Sequence, residues 1–444
     1  MKNFRTILLT LSFIGMIAIP LAGAAQSYFS LVLPQDFGPV NAKYISQGKT
    51  GVANSAGYVN LWTNPAMLTA DDDKTGVQVS SSLRRFQENR SFPAIDMFED
   101  KVTDNMYAST GQWYPHISAG VSQGVGGLRF GASFAPVWDM RYDYKEEVRS
   151  SLSSGVYNRD PVAGYHQINR EGQIYAASLG GAFGIGEKIS LGAGYHLLMA
   201  QGLSDEYSIN VIREDPALAS AQDTAFASDI ELDGTPGLFT LGLTYDLNWR
   251  WRIGANYRSG AEITQTGLVT LPGTLNRVAL PEYLRTAGTH TVTTQLPGTI
   301  ALGVQGTLEN PIASTAQFEV HYTDWTQFES TSAELPDSVG SLVQNLQETW
   351  EFHVGVEHII LNKAPVRFGF IYAESPLGRE FEQTKFTLGG SYLLGNFTLD
   401  IGAIFQSLTY NYVDIFPATG GDANRLETVD ESNAQVTFTL SYAL

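Results

Sequence analysis

The sequence predicts an all-β protein: a 14-stranded antiparallel transmembrane β-barrel with an N-terminal hatch, or plug, segment. Three observations predict it. The N-terminus has the order of a secretion signal. Beyond it, no apolar run approaches the roughly 20 residues that a membrane-spanning helix needs. Apolar and polar residues instead alternate through fourteen segments of similar length.

Lys2 and Arg5 give a positive start, residues 7–19 are almost wholly apolar, Pro20 ends the run, and Ala22-Gly23-Ala24-Ala25 supplies small residues. That order marks residues 1–25 as a signal peptide cleaved after Ala24 or Ala25. A secreted chain without a spanning helix crosses a membrane only as a closed barrel. Composition agrees. The chain has 44 glycines, 11% aromatic residues, no cysteine and only 16% charged residues, against about 25% charged in a soluble domain. The net charge is −18, and losing the signal removes two more positive charges. Such a chain does not bind nucleic acid through its phosphates. Its acids lie mostly between the candidate strands, where they keep loops solvated.

Residues 26–73 precede the first strand and are rich in turn formers such as Gly38, Pro39, Gly48, Gly51 and Gly57. Fourteen strands spaced ~4.8 Å apart and tilted ~40° enclose a cylinder ~28 Å across, too wide for side chains to fill. Residues 26–73 are therefore expected to be a hatch inside a barrel formed by residues 74–444. Asn64-Pro65-Ala66 reads as a capped turn that anchors it, with Asn capping and Pro at the first helical position. Asp71-Asp72-Asp73 reads as the turn into strand one, since the other ligands of a calcium loop are missing.

The strands are expected near 74–83, 115–123, 126–136, 172–183, 187–198, 234–245, 248–258, 293–305, 314–323, 349–358, 364–373, 382–393, 395–407 and 434–443. In the last, Val436, Phe438, Leu440 and Tyr442 take one face and Gln435, Thr437, Thr439 and Ser441 the other. In 248–258, Trp249, Trp251, Ile253 and Tyr257 face one way while Arg250, Arg252 and Arg258 face the other, which in a membrane barrel is the lumen. Ten residues at ~3.3 Å each, tilted ~45°, climb ~23 Å, close to the ~25 Å apolar band of such barrels. The links alternate between long (84–114, 137–171, 199–233, 259–292, 324–348, 408–433) and short, with 374–381 intermediate. Long outer loops and short periplasmic turns are the outer-membrane pattern, and an even strand count leaves both termini in the periplasm. Trp113, Trp325 and Trp350 fall at outer strand ends, and Trp249 and Trp251 near a periplasmic end, as two aromatic girdles require.

Carboxylates and histidines gather on strands nine and ten: Gln317, Glu319 and His321 share one parity, and Glu351, His353 and Glu357 the other strand's. Such a set can do acid–base chemistry or hold a metal. A polar lumen is the default, so pairing with Arg129, Arg250, Arg252, Arg367 and Lys385 to hold the hatch is the favoured reading. No phosphate loop, zinc spacing or nucleophile elbow occurs, so no enzyme activity and no cofactor or metal are expected.

Motifs along the chain resemble the FadL-type long-chain fatty acid and hydrocarbon transporters of the outer membrane, a family that includes TodX-like proteins. They are Thr63-Asn64-Pro65-Ala66-Met67-Leu68 before strand one, Asn256-Tyr257-Arg258-Ser259, Leu296-Pro297, Tyr322-Thr323-Asp324-Trp325-Thr326-Gln327-Phe328, Arg367-Phe368-Gly369 and Glu374-Ser375-Pro376. The resemblance implies passive uptake of hydrophobic small molecules, fatty acids or hydrocarbons. Cargo is caught in an apolar groove between the third and fourth outer loops, passes to a tighter pocket, and leaves sideways through the wall when the hatch rearranges. Groove candidates are Val211, Ile212, Pro216 and Leu218 in loop three and Leu268, Val269, Leu271, Val278, Leu280, Tyr283 and Leu284 in loop four. The rim Leu203-Ser204-Asp205-Glu206 is acidic and repels a carboxylate unless Arg250, Arg252 or Arg258 compensates. The segment 375–384 also lacks the family's proline- and arginine-bearing stretch. A PorV-type role in cell-envelope secretion or assembly is the alternative. The barrel is expected to be a monomer that meets outer-membrane lipid and lipopolysaccharide.

Overall fold

The computed structural model describes residues 28–34, 37–70, 75–98, 100–149, 161–212, 224–272, 281–332, 345–360, 364–416 and 426–443. The expected signal peptide and Asp71–Asp73 lie outside the described residues, as do Pro216, Leu218, Val278 and Leu280.

Alternation is realised as strands: β1 (Gly76–Ile95), β2 (Lys101–Val125), β3 (Leu128–Asp139), β4 (Tyr142–Arg149), β5 (Val162–Ile185), β6 (Ile189–Val211) and β7 (Thr224–Leu232). The series continues with β8 (Gly237–Asp246), β9 (Trp251–Arg258), β10 (Ala261–Leu271), β11 (Gly288–Leu296), β12 (Thr299–Thr307) and β13 (Thr315–Thr323). It ends with β14 (Glu329–Ser332), β15 (Thr349–Ile360), β16 (Ala364–Ala373), β17 (Gln383–Leu394), β18 (Phe397–Val413) and β19 (Leu426–Ala443). All neighbours are antiparallel, and the sheet closes where β1 pairs with β19 from Gly76↔Ala443 to Ser91↔Thr428. The nineteen segments form fourteen staves, because β3/β4, β7/β8, β9/β10, β11/β12 and β13/β14 are each one stave broken by a bend.

Period-two patterning sets the two surfaces. Val77, Val79 and Leu83 of β1 and Leu399, Ile401 and Phe405 of β18 are exposed on the outside, where lipid covers them. Their neighbours of opposite parity face inward and satisfy one another: Ser80 with Thr439 at 2.8 Å, and Ser82 with Thr437 at 2.6 Å. The fourteen expected strands all lie on observed ones. The long links do not stay loops. β1 and β2 run on as a ladder to the short link 96–100, and β18 and β19 extend to Val413 and back from Leu426. Beyond about Arg85 the outer face of the β1–β2 ladder loses its apolar run, while its inner face mixes rings such as Phe86 and Tyr107 with charges such as Glu88 and Arg90. The hydrophobic alternation that betrays a strand therefore stops at the membrane border, while the backbone hydrogen bonds continue.

Gly76 and Ala443 stand at the end of the barrel with short turns. The chain before β1 rises through the lumen. Tyr28 and Phe29 sit near the opposite, long-hairpin end, packed with Tyr142, Tyr144, Tyr207, Tyr410 and Phe416. Within this aromatic cap Arg90 is completely buried. Its Nε donates to Glu88 at 2.6 Å, and its guanidinium lies 5.8 Å and 5.5 Å from the Tyr28 and Tyr144 ring centres.

Candidate functional site

The chain inside the barrel is short helices and turns, with α1 at Ala42–Ser46 and α2 at Asn60–Thr63. Asn41 caps α1 through Oδ1, which accepts from Tyr44 N at 2.8 Å. Asn64 ends α2 in extended backbone. Its Oδ1 accepts from Ala66 N at 3.0 Å, and its Nδ2 donates to Val52 O at 2.6 Å and across to Leu243 O on the wall at 3.1 Å. Pro65 opens a 3-10 turn, Pro65–Ala70, where its missing N–H costs nothing. Asn64, Pro65 and Ala66 are all buried at this joint.

The wall meets this segment with glycine. Gly192, Gly242, Gly254, Gly303, Gly355, Gly369, Gly389 and Gly402 stand on eight strands, and a methyl added at any of them runs into residues of the 42–66 segment. They pair across strands as Gly192↔Gly242, Gly254↔Gly303, Gly355↔Gly369 and Gly389↔Gly402. The wall so presents bare backbone, against which Ala42, Gln47, Gly48, Val52 and Asn64 press directly.

Polar clamps complete the seat. Glu319 Oε1 accepts from Val52 N at 2.7 Å, and His353 Nδ1 donates to Gly48 O at 2.8 Å. Ala42 N donates to Thr439 at 2.8 Å, and Thr240 donates to Leu61 O at 2.7 Å. The histidine and carboxylate cluster is spent on this task. His321 stacks on His353 at 4.4 Å, and each ring also reaches a carboxylate, Glu319 and Glu351, at 3.3 Å. Arg367 bridges Glu357 and Asp400 at 2.6 and 2.7 Å.

Between the N-terminal segment and the wall from β9 to β17 lies a cavity of about 200 Å³. Its lining mixes apolar Phe29, Leu33, Phe37, Trp62, Leu296 and Ile371 with Lys49, Arg258, His321, Glu351 and Lys385. Arg258 lies 5.5 Å from the Phe37 ring centre and 5.2 Å from that of Trp62, and donates to Thr299 at 2.9 Å.

The other expected ligand residues scatter. Arg250 pairs with Glu309, and Arg252 with Asp246 at 2.6 Å, both at the short-turn end away from this cavity. Leu284 and Val269 are buried in the aromatic cap, with Tyr283 packed against it. Leu268, Leu271 and Ile212 are exposed, and Val211 closes β6 beside the cap. Compensation for the acidic rim comes from Arg170, which the β5–β6 register sets opposite Asp205 with Nε at 2.9 Å. Arg170 fell within an expected loop, 137–171. Its signal was faint, because only its alternation with Ile168 continues the strand.

The wall itself is open between β2 and the β3/β4 stave. β2 pairs with β3 only from Ala119↔Phe134 to Val125↔Leu128, and β4 returns to β2 by a single rung, Ala108↔Glu146. Side chains span the missing ladder. His116 Nε2 meets Asp139 at 2.8 Å, Arg141 holds the same carboxylate through Nε and Nη2 at 2.8 Å each, and Gln112 donates to Asp143 at 2.8 Å. On the lumen side Gly38 N donates to Val137 O at 2.9 Å, so the inner segment touches the edge of the gap.

The chain matches the family model described as outer membrane protein transport protein (OMPP1/FadL/TodX) over residues 47–386. Its fold is similar to a FadL homologue of Pseudomonas aeruginosa (TM-score 0.63, 14% identity, 92% of this chain and 99% of that one). It is also similar to the toluene transporters TbuX of Ralstonia pickettii (0.59, 17%, 92% and 99%) and TodX of P. putida (0.59, 15%, 92% and 99%). No curated protein matches. An N-terminal segment seated in a closed 14-stranded barrel, with the family model spanning most of the chain, leads to one assignment: the chain belongs to the OMPP1/FadL/TodX family of outer membrane transport proteins, which are channels and not enzymes.

Proposed function

We propose that this chain admits long-chain fatty acids or other hydrophobic compounds passively, holding them in the cavity beside Arg258 and releasing them sideways through the gap between β2 and β3/β4. Residues 26–73 act as the hatch, residues 74–444 as the barrel, and the short-turn end faces the periplasm. The barrel works as a monomer in outer-membrane lipid and lipopolysaccharide; β1–β19 pairing closes the sheet, so neither terminal strand offers an edge to a second copy.

The observation that carries the reading is the contrast within the lumen. Backbone of residues 42–66 packs tightly on the glycine belt inside the barrel, while a half-apolar cavity and a wall gap spanned by side chains lie beside it. A hydrophobic solute gains ~0.8 kcal/mol per methylene buried, enough for capture without an energy source. At about 200 Å³ the cavity falls below the ~300–1,000 Å³ usual for drug-sized ligands. It suits an aromatic ring or part of a chain. Two similar structures are toluene transporters, which supports small hydrocarbons as cargo. Arg258 supplies a cation for a carboxylate, so both head groups are candidates.

Uptake of toluene, dodecane and oleate into proteoliposomes tests the proposal. Ala373 lines the cavity, and Ala373→Trp is expected to lower uptake of whichever cargo is carried at least tenfold. Arg258→Ala lowers oleate uptake alone if the carboxylate is recognised. Absence of saturable uptake of all three sinks the transport reading.

A further inference from the structure

A second break in the wall lies between β6 and the β7/β8 stave. β6 pairs with β8 up to Leu197↔Gly237 and with β7 only from Leu203↔Ile230 onward. Leu198–Gly202 therefore lacks a ladder on that side, apart from Leu198 N donating to Pro236 O at 2.8 Å. An open groove of about 680 Å³ fills the break, its floor made by Met199, Ala200, Leu203, Ile230 and Leu232. Met199 and Tyr195 are exposed on the outer, apolar surface of β6, and Gln201 follows them, so the groove sits at the upper border of the lipid-facing band. Behind it, in the lumen, is a cavity of about 50 Å³ among Val32, Trp138, Met140, Ala227 and Gly267. Ile230 lines both spaces. Two glycines make room for this thin partition: a methyl on Gly267 meets Ile230 Cγ1 at 2.8 Å, and one on Gly172 meets Leu203 Cδ2 at 2.5 Å.

We infer that this break is a second lateral portal, through which an uncharged hydrocarbon dissolved in the outer leaflet reaches the lumen past Ile230. The charges around it select the cargo. Asp229 and Glu231 stand exposed at the outer rim and repel an anionic head group. Inside, Arg170 is paired with Asp205 at 2.9 Å, so the cavity presents a neutralised pair to whatever arrives. The inference rests on the transport reading above, but its test is separable from it.

The chain contains no cysteine, so Ile230→Cys carries a unique thiol. In phosphatidylcholine proteoliposomes it is treated with N-dodecylmaleimide, which partitions into the bilayer, and with a sulfonated maleimide, which stays in water. Leu238→Cys, a buried position outside the groove, serves as control, and heat-modifiable gel mobility confirms folding of each variant. The portal predicts alkylation of Ile230→Cys by the lipid-borne reagent at least tenfold faster than of Leu238→Cys, slowed by added toluene. Equal rates at the two positions overturn it. Gly267→Leu fills the partition and is expected to cut toluene uptake at least threefold; unchanged uptake by this folded variant also overturns it. If the native chain takes up no hydrocarbon, the transport reading fails, and the labelling rates still decide whether the wall is open at Ile230.

Discussion

The two ends of the lumen are closed by different chemistry. Toward the short-turn end, backbone meets backbone: the glycine belt presses on residues 42–66, and short neutral or singly charged hydrogen bonds lock the register. Toward the long-hairpin end, aromatic rings enclose buried charges, with Arg90 and Glu88 at the centre and Glu146, His166, Asp414 and Glu427 around them. A backbone seat has no rotamers to change, so it yields only by moving as a whole. A cap of rings and desolvated charges can be reorganised by protonation or by an apolar solute that replaces a ring. The belt is thus the fixed part of the channel and the cap the adjustable part.

The comparison breaks most sharply at the cap's fully enclosed cation, Arg90. Glu88→Ala leaves Arg90 enclosed without its carboxylate, a change of about 3–5 kcal/mol. Thermal unfolding should show it as a marked loss, with Glu88→Gln falling between the two. An unchanged melting temperature removes the charge pair from the account of the cap. At the belt, Gly254→Val drives two methyls into Val52 and should cost about 1–3 kcal/mol as overpacking. Because the seat moves as a unit, the same variant is expected to raise ion conductance in planar bilayers. A variant that is destabilised yet electrically silent would mean that the hatch deforms locally instead.

Removing a single clamp should do less. Glu319→Ala leaves Val52 N without its acceptor, a loss of about 1–3 kcal/mol, and hydrogen exchange should rise at residues 51–54 without a change at Tyr28. The smallest effect is that of pH on the cap. Burial, with Asp414 and Glu146, pushes Glu427 up to about 7 against relief from the Tyr107 hydroxyl and Arg90, and burial with Glu146 pushes Asp414 up to about 6 against relief from Phe416 N, His166 and Arg90. Both raised groups hold protons in the folded state that the unfolded chain releases near pH 4, so they favour the closed cap in acid. That contribution declines as pH rises through about 6 to 7. Protection factors, which correct exchange for its intrinsic rise with pH, should accordingly be lower at residues 410–416 at pH 8 than at pH 5, with those of the belt unchanged.

The barrel was legible in the sequence because lipid imposes a period on every stave. Val77, Val79 and Leu83 announce β1, whereas Glu88 and Arg90 on the same strand do not, since beyond the membrane neither face must be apolar. A segment filling the lumen was legible as a requirement, from the width of the cylinder, and Asn64-Pro65-Ala66 lies at its joint with the wall. The belt was not. Glycines such as Gly254 and Gly303 read as weak strand positions until the register pairs them and sets Val52 against both. The groove leucines were chosen for being apolar and in loops, but Val269 and Leu284 face the cap while Leu268 and Leu271 face out. On β10 parity, not composition, decides that, and parity in a stretch whose register shifts between Thr266 and Leu268 and again between Val269 and Leu271 cannot be counted along the chain.

We propose in addition that cargo leaves through the wall while residues 42–66 stay on the glycine belt, in contrast to the rearrangement that the family resemblance implied. A cysteine pair at Val52 and Gly303 tests it most directly, since a Cβ at position 303 lies 3.0 Å from that of Val52, close enough to bridge after a small relaxation. Uptake of toluene and dodecane is measured with the bridge oxidised and then reduced. The account predicts the same uptake in both states. Loss of uptake on oxidation, restored by reductant, would contradict it and route the cargo past a displaced hatch.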